Sequence, residues 1–492
     1  MHYTVILRIL GLLLMLFSLS MLPSALISLI YGDSSWVIFV ESFAFTLLTG
    51  FIIWYPVHRA RAELRSRDGF LITVLFWLVL GLFGSIPFTL IESLQLNFTD
   101  AVFESFSGLT TTGATVITQL DSLPKSILFY RQQLQWLGGM GIIVLAIAVL
   151  PMLGIGGMQL YRAEAPGPVK DSKLTPRLAE TAKALWYIYL ILTIACASAY
   201  WLAGMNLFDA VCHSFTTVAI GGFSTHDASI GFFDSRSIEA IAAVFMVVSG
   251  ANFALHFSAW RGWRGGQKLS LFSRLSLYWK DPEFKVYFLL LAGAVIFCCT
   301  FLAFNRDSFD SSIWITGAFE VISIATTTGF SSSGYSEWPS LLPFLLLWLA
   351  FAGACAGSTG GGMKIIRVIL LWKQGIREIH RLIHPNGVFL VKLGRTLVPP
   401  NITEAVWGFC TVFFVVFLTI LMAMLATDVD MITAFSAVGA SINNLGPGLG
   451  DVAMNYSELN SVAKWICTFC MLLGRLEIFT LLVLLSPMFW RR

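Results

Sequence analysis

A short apolar segment that ends in a glycine occurs four times along the chain. The four segments align without gaps, and their last glycines, Gly113, Gly222, Gly329 and Gly446, follow one another at intervals of 109, 107 and 117 residues. Each segment is too short to cross a membrane, because a spanning helix needs about 20 residues. Internal similarity at a nearly fixed pitch constrains an architecture more than any single motif does. The repeat therefore predicts four equivalent structural units.

The composition places these units in a membrane. Of the 492 residues, 57% are hydrophobic and only 12% are charged, whereas a soluble protein carries about 25% charged residues. Two long apolar segments flank each short one, and two more precede the first repeat. The predicted spans are residues 5–30, 36–56, 69–91, 127–155, 184–204, 237–258, 286–304, 340–372, 403–426 and 461–488.

We therefore expect an all-α integral membrane protein with four pseudo-symmetric repeats of span, short helix and span around a central pore, preceded by two extra N-terminal spans. The predicted boundaries are 1–67 for the N-terminal pair, 68–182 for repeat 1, 183–284 for repeat 2, 285–400 for repeat 3 and 401–492 for repeat 4. All four repeats share one orientation, unlike the inverted repeats of many transporters.

Basic residues mark alternate loops as cytoplasmic. The turn after the second span is strongly basic over residues 58–67, and positively charged loops stay on the cytoplasmic side. Both termini are then expected in the cytoplasm. The later basic loops carry Arg162, Lys170, Lys173, Arg177 and Lys183, then Arg261, Arg264, Lys268, Arg274, Lys280 and Lys285, and then Lys373, Arg377, Arg381, Lys392 and Arg395.

Each short segment is predicted to form a half-membrane helix. About ten helical residues, or roughly 15 Å, follow a polar residue suited to capping a helix N-terminus. The predicted N-caps are Asp100, Asp209, Thr316 and Thr433. One aligned position within the helices carries Glu104, His213 and Glu320. We expect these side chains either to form structural hydrogen bonds or to tune the local potential.

The segments that end the short helices are small or polar runs closed by glycine, and we call them the corner segments: residues 110–113, 219–222, 326–329 and 443–446. Irregular backbone at membrane depth is tolerated only where it is buried in protein or lines a water-filled path. The C-terminal ends of four helices also direct partial negative charge to one point, and rings of carbonyls can replace the hydration shell of a cation. This pattern favours a cation pore, although four re-entrant loops of a transporter or membrane enzyme remain an alternative.

In the pore interpretation, backbone carbonyls of the corner segments bind the ion. The predicted ion-binding residues are Thr111, Thr112, Gly113, Ile220, Gly221, Gly222, Thr327, Thr328, Gly329, Asn444, Leu445 and Gly446. No repeat contains the full five-residue filter of potassium channels, so we expect moderate rather than strict selectivity.

The second span of repeat 3 contains an interruption that suggests a gate. An apolar helix over residues 340–352 is followed by five glycines in ten residues, at 353–362, and such a run breaks a helix. The break lies roughly 20–33 Å from the outer start of the span, below the corner segments. We call residues 353–362 the glycine-rich loop and expect it to gate the pore; a packing kink is the alternative.

Arg475 lies at a similar depth, about 21 Å into the last span. An ionisable residue within a span is a functional candidate, and a guanidinium there can hold loop carbonyls and repel cations. The alternative is a structural ion pair with Glu477 or another carboxylate. The predicted gating residues are Gly353, Gly357, Gly360, Gly361, Gly362, Lys364 and Arg475.

Three motifs resemble one known family. They are Gly-Gly-Phe-Ser-Thr-His-Asp at 221–227, Asn-Asn-Leu-Gly-Pro-Gly-Leu-Gly at 443–450 and Gly-Arg-Leu-Glu-Ile-Phe-Thr at 474–480. Together with the repeats, they resemble the TrkH family of bacterial potassium-uptake subunits, within the TrkH/TrkG/KtrB superfamily of K⁺ transporters. The glycine-rich loop resembles the intramembrane gating loop of that family.

The resemblance implies a K⁺-permeable pore in the bacterial inner membrane. It also implies a homodimer and a cytosolic, nucleotide-binding regulatory partner similar to TrkA. We expect K⁺ as the transported ion, no covalently bound cofactor, no nucleic-acid partner and no enzymatic activity, since an intramembrane enzyme needs a His, Asp and Glu cluster at one depth. A symporter that couples K⁺ to H⁺ or Na⁺ remains the alternative function.

Overall fold

The computed structural model describes residues 1–60, 62, 66–144, 178–264, 271–305, 311–394 and 396–491, and the regular secondary structure of this part is almost entirely helical. The basic residues Arg162, Lys170, Lys173, Arg177, Lys268 and Arg395 and the end of one predicted span, 145–155, lie outside the described residues.

The N-terminal pair packs as an antiparallel hairpin against repeat 1. Its helices are Tyr3–Ser18, Met21–Tyr31 and Trp36–Trp54. The two arms of the hairpin come closest at Gly11 and Gly50. A Cβ added to Gly11 would lie 2.7 Å from the Gly50 carbonyl oxygen. Asp33, in the connecting turn, accepts a 2.9 Å hydrogen bond from the Ser126 hydroxyl of repeat 1.

Each repeat contains a first long helix, a short helix and a second long helix. In repeat 1 these are Ser66–Gly84 with Ile86–Leu90, Phe98–Leu109 and Lys125–Val144. In repeat 2 they are Leu178–Leu202, Leu207–Ala219 and Arg236–Ser249 with Phe253–Arg264, and Leu271–Lys280 leads into repeat 3.

Repeats 3 and 4 follow the same plan. Repeat 3 contains Pro282–Asn305, Ser311–Ala325, Leu341–Ala352 and Ile365–Ile383, and then an antiparallel pair of two-residue strands, Lys392–Leu393 and Thr396–Leu397. Repeat 4 contains Pro400–Leu425, Met431–Ile442, Ser461–Arg475, Phe479–Leu485 and Pro487–Trp490.

The four repeats close into a ring. Besides the long helices of its own repeat, each short helix packs against the second long helix of the preceding repeat. The short helix of repeat 2 thus contacts repeat 1, that of repeat 3 contacts repeat 2, and that of repeat 4 contacts repeat 3. The circle is completed where Phe98–Leu109 packs against Ser461–Arg475 of repeat 4. All four corner segments are thereby brought to one centre.

The predicted N-caps of the short helices are wrong, by three residues in repeats 1, 2 and 4. In repeat 1 the cap is Asn97, whose side-chain oxygen accepts a 2.9 Å hydrogen bond from the backbone N–H of Asp100. The Asn97 side-chain amide also donates to the Asp100 carboxylate at 2.9 Å. Asn206 and Asp430 likewise precede the predicted caps Asp209 and Thr433, and Thr316 lies within Ser311–Ala325. Short polar residues suit both positions, so the pattern alone could not choose between them.

Two predicted spans are broken rather than continuous. Six helices of the described residues are long and apolar enough to cross a membrane. The predicted span 237–258 instead bends by 89° between Ser249 and Phe253, and the predicted span 461–488 bends by 112° between Arg475 and Phe479. Both breaks contain few glycines, so no helix-breaking run marks them. The predicted break after Ala352 in repeat 3 is confirmed.

Candidate functional site

The four corner segments share one backbone conformation. The residue two positions before each aligned glycine adopts a positive φ: 55° at Thr111, 54° at Ile220, 69° at Thr327 and 53° at Asn444. Such a conformation is uncommon for any residue with a Cβ and unusual for β-branched ones. Strained backbone of this kind persists only where the surrounding structure enforces it, and it is concentrated at functional sites.

The aligned glycines stand where neighbouring corners touch. Gly113, Gly222 and Gly329 have φ between 80° and 85°, and a Cβ added to Gly113 or Gly222 would overlap a carbonyl group of the next repeat. A Cβ added to Gly329 would lie 2.6 Å from Pro447 Cδ, and one on Gly446 would lie 2.7 Å from the Gly113 carbonyl oxygen. The contacts run from repeat 1 to 2, 3, 4 and back to 1. The predicted ion-binding residues therefore form one closed ring.

The side chains that hold the ring differ between the corners of repeats 2 and 4. The Gln135 side chain donates to the Gly221 carbonyl at 2.6 Å and accepts from the Phe223 N–H at 3.0 Å. Asn444 donates from its side-chain amide to the Thr112 hydroxyl of repeat 1 at 3.1 Å and to the Met471 carbonyl at 2.8 Å. The backbone of the ring is therefore nearly symmetric, whereas its hydrogen bonds are not.

A buried ion pair supports the chain that leaves the corner of repeat 1. Glu104 accepts from Arg131 Nε at 2.8 Å, from the Thr115 hydroxyl at 3.0 Å and from the Val116 N–H at 3.0 Å. The Arg131 guanidinium also donates to the Ser224 carbonyl of repeat 2 at 3.1 Å. Both charged side chains are almost completely buried.

The aligned residues of the next two repeats, His213 and Glu320, also support the chain after their own corners, but through different hydrogen bonds. Glu320 accepts from the Ser332 and Ser333 N–H groups at 2.6 and 2.9 Å. His213 bonds through its ring to the Ser224 hydroxyl at 2.9 Å. These contacts favour the structural role expected for Glu104, His213 and Glu320, because each clamps the segment that follows its own corner.

The glycine-rich loop passes directly beneath the ring. The Gly361 N–H donates to the Thr327 hydroxyl at 2.7 Å, and the Gly362 N–H donates to the Asn443 carbonyl at 3.2 Å. The Thr359 hydroxyl donates to the Val218 carbonyl at 3.0 Å. The loop thus contacts the corners or helix ends of repeats 2, 3 and 4.

Arg475 connects the loop to the remaining repeat. Its guanidinium donates at 3.3 Å both to the Thr359 carbonyl and to the Thr111 hydroxyl of repeat 1, and it donates to the Gly138 carbonyl. Glu477, the alternative partner considered for Arg475, pairs with Arg367 at 2.5 Å.

The other predicted gating residues lie along the loop itself. The Lys364 ammonium donates to the Gly360 carbonyl. Gly353, Gly357 and Gly362 have φ between 66° and 74°, a region that only glycine adopts freely. The structure therefore places all seven predicted gating residues in one layer below the ring.

Sequence reasoning missed several residues that build this layer. A Cβ on Gly138 would overlap the Leu109 carbonyl, and one on Gly474 would overlap the Ile442 carbonyl. Gly138 and Gly474 therefore let second long helices approach the ends of short helices. Small residues at helix contacts are common in membrane proteins, and the Gly138-Gly139 pair was the available signal. Gln135 and Arg131, polar residues within a span, were a second signal.

On the outer side, His226 joins repeats 1 and 2. Its ring bonds through Nδ1 to the Asp121 carboxylate and through Nε2 to the Asp209 carboxylate at 3.2 Å, and it stacks on Phe232. Burial alone would lower the pKa of His226, but the hydrogen bonds and charges of the two aspartates outweigh it and raise the pKa. For Asp121, burial is likewise outweighed, and hydrogen bonds from His226 and Asp227 lower its pKa.

Comparison with known proteins identifies the family. A sequence model of the TrkH family, described as a cation transport protein, matches residues 36–492. The chain is 58% identical over 492 residues to the Trk system potassium uptake protein TrkH of Halomonas elongata and 55% identical to that of Escherichia coli K12, with complete coverage of both chains in each case.

Its fold also matches a crystal structure of the potassium transporter TrkH from Vibrio parahaemolyticus, with a TM-score of 0.89, 52% identity and full coverage of both chains. The chain therefore belongs to the TrkH family of cation transport proteins, which are transporters rather than enzymes.

The His226 bridge predicts a pH-dependent contribution to stability. Because folding raises the histidine pKa, this contribution is present below the ordinary histidine value of about 6.5 and is lost as pH rises through the raised pKa. The aspartate contribution is lost instead as pH falls below about 4. His226→Gln should therefore lower the melting temperature more at about pH 5.5 than at about pH 9. His384→Gln, at an exposed histidine, is the control; an equal loss at both pH values for His226→Gln would contradict the prediction.

Removing Arg131 should leave the Glu104 carboxylate buried without its cation. We expect Arg131→Met to lower the free energy of unfolding by about 3–5 kcal/mol, measured by denaturation in detergent. Glu104→Gln added to Arg131→Met should restore part of the loss, because the uncompensated charge is then gone. Arg381→Met, which breaks an exposed pair with Glu378, should leave stability unchanged. A double variant less stable than Arg131→Met would contradict this explanation.

Proposed function

We propose that this member of the TrkH family is a gated pathway for K⁺ uptake across the bacterial inner membrane. The observation that carries the proposal is the closed ring of four corner segments with the glycine-rich loop and Arg475 directly below it. The relatives of the chain are named as potassium uptake proteins, which supports K⁺ as the transported ion. Both termini face the cytoplasm in this proposal, as the positions of the basic loops indicate.

The ring suits a dehydrated cation. Four short helices end at the corner segments, and the partial negative charge of their C-terminal ends converges on the centre. Backbone carbonyls of the corner residues replace the water that the ion loses. Because hydrogen bonds such as Gln135 to Gly221 and Asn444 to Thr112 differ between repeats, the coordination is unequal around the ring. We therefore propose moderate selectivity for K⁺ over Na⁺.

The loop and Arg475 form the closed gate in this proposal. Thr359, Gly361 and Gly362 bond to three repeats, so the loop lies across the path that an ion must take below the ring. Arg475 holds the loop through the Thr359 carbonyl and places a positive charge where a cation would pass. Opening then requires that these bonds break together and that the loop move aside.

We also propose that the protein works as a homodimer controlled by a cytosolic, nucleotide-binding subunit. The helix Ile365–Ile383 begins just after the loop and leaves several apolar side chains exposed from its middle to its far end. They include Trp372, Ile379, Leu382 and Ile383. A partner bound to this helix would be mechanically connected to the loop.

Flux through purified protein in liposomes tests the function. A K⁺ gradient alone should drive flux, and the reversal potential should follow the K⁺ gradient at fixed Na⁺ and pH. A reversal potential that shifts with the Na⁺ or H⁺ gradient in fixed stoichiometry would show coupled symport instead.

The ring predicts a strong effect of a single methyl group. Gly113→Ala places a Cβ against a carbonyl of repeat 2, and such overpacking costs about 1–3 kcal/mol. We expect K⁺ flux to fall by about tenfold or K⁺/Na⁺ discrimination to weaken. Gly334→Ala is the matched control, because Gly334 also has a positive φ but its added Cβ meets open space. Wild-type flux and discrimination in Gly113→Ala would contradict the role of the ring.

The gate predicts leakage when Arg475 is shortened. Arg475→Ala removes both the bond to Thr359 and the positive charge, so K⁺ flux without the regulatory partner should rise by at least about tenfold. Arg475→Lys keeps the charge but loses the fork of donors; an intermediate flux would show that both contribute. Arg381→Ala, at an exposed arginine, is the control. Unchanged or lower flux in folded Arg475→Ala would refute the gating role.

A further inference from the structure

The glycine-rich loop consists of two parts with different contacts. Its first part is bonded to the break in the second long helix of repeat 2: the Cys355 N–H donates to the Gly250 carbonyl at 3.0 Å, and the Phe253 N–H donates to the Gly357 carbonyl at 3.1 Å. Its second part, from Thr359 to Gly362, carries the bonds to the ring. The first part is thus attached to the scaffold, and the second part lies in the proposed path.

One carboxylate holds both ends of this second part. Glu283, in the first turn of Pro282–Asn305, accepts the Ala356 N–H at 2.7 Å and the Ile366 N–H at 3.2 Å through the same oxygen. Ala356 precedes the ring-contacting residues, and Ile366 follows them. Glu283 is only 7% exposed, so water competes little for these bonds and their loss is costly.

The helix that follows the loop also needs Glu283 at its start. Ile365–Ile383 begins after Lys364, which has φ 77° and forms no side-chain capping bond. The first N–H groups of a helix have no partner within it and require one from outside. The Glu283 oxygen supplies that partner from another helix, as an N-cap side chain would.

We propose that Glu283 is the positioning residue of the gate, anchoring the glycine-rich loop on both sides so that the ring-contacting residues 359–362 are the part that swings out of the path. This inference rests on the proposed gating function. It assigns to Glu283 no contact with the ion. Without the anchor, both ends of this part lose their bonds to Pro282–Asn305, and the bonds of Cys355 and Gly357 to repeat 2 still tie the first part of the loop to the scaffold.

A native cysteine reports on the anchor without any measurement of flux. Cys355 precedes Ala356, is fully buried, and is one of eight cysteines, all of them buried. Loss of the Glu283 bonds should loosen the chain at Ala356 and expose the neighbouring Cys355. Maleimide labelling of the full-length protein, read by mass spectrometry for each cysteine, distinguishes local release from general loosening.

We expect Glu283→Ala to raise the labelling rate of Cys355 by at least about tenfold while the other seven cysteines stay protected. Glu283→Gln keeps an acceptor oxygen at the same reach and should label like the wild type. Glu283→Asp withdraws the carboxylate by one methylene and should give an intermediate rate, and it serves if the alanine variant does not fold. Asp281→Ala is the matched control, because Asp281 caps the same helix through the Phe284 N–H at 2.8 Å.

Several outcomes would overturn the inference. The first is a Cys355 labelling rate in Glu283→Ala and Glu283→Asp equal to that of the wild type. The second is equal labelling of all eight cysteines in Glu283→Ala. The third is a Cys355 labelling rate in Asp281→Ala as high as in Glu283→Ala. K⁺ flux without the partner then separates the two proposals. Raised flux in Arg475→Ala beside wild-type flux in Glu283→Ala refutes the anchor and leaves the gate standing. Wild-type flux in both, with folded protein, refutes the gate itself, whereas raised flux in both supports the anchor.

Discussion

Four stretches of irregular backbone at the middle of a membrane protein require hydrogen-bond partners that lipid cannot supply. The surrounding architecture meets this requirement. Gln135 reaches into the corner of repeat 2, and Glu104 and Glu320 hold the chain just beyond two corners. Tyr456 donates to the Gly446 carbonyl at 2.9 Å. The corner residues keep their left-handed backbone conformation because such contacts hold the chain on both sides of them.

The same constraint explains how near symmetry and asymmetry coexist. The backbone of the ring repeats because each short helix must end against its neighbour, and that packing is the same around the circle. The corner residues with left-handed backbone carry different side chains, because each side chain has different partners around the ring and in the layer below. Thr327 accepts a bond from the loop, Thr111 accepts one from Arg475, and Asn444 bonds sideways to repeat 1. The glycine-rich loop comes from one repeat only, so it meets each corner differently. The nearly symmetric backbone of the ring therefore carries different side chains in each repeat.

The sequence sufficed for the features that depend on local pattern. The repeat pitch, the short helices and the break after Ala352 all follow from hydropathy and glycine content, and the structure contains each of them. It failed where long-range contacts decide. The break near Glu477 and Ile478 rests on two non-glycine residues with φ of 55°, which tertiary bonds such as Arg367 to Glu477 hold in place. Gln135 was missed for the same reason, since its partners lie 86 and 88 residues away.

The breaks in repeats 2 and 4 change how the proposed gate should be understood. The glycine-rich loop does not hang freely in the path, because its first part is bonded to the break at Gly250 and Phe253. The helix after the loop is bonded through Arg367 to the break at Glu477. Three interrupted helices therefore meet in one layer, and the loop of repeat 3 is its most glycine-rich member. A continuous helix in repeat 2 would present no unpaired backbone groups at Gly250 and Phe253 to bond the loop. The neighbouring breaks are thus part of what positions the loop in the proposed gate.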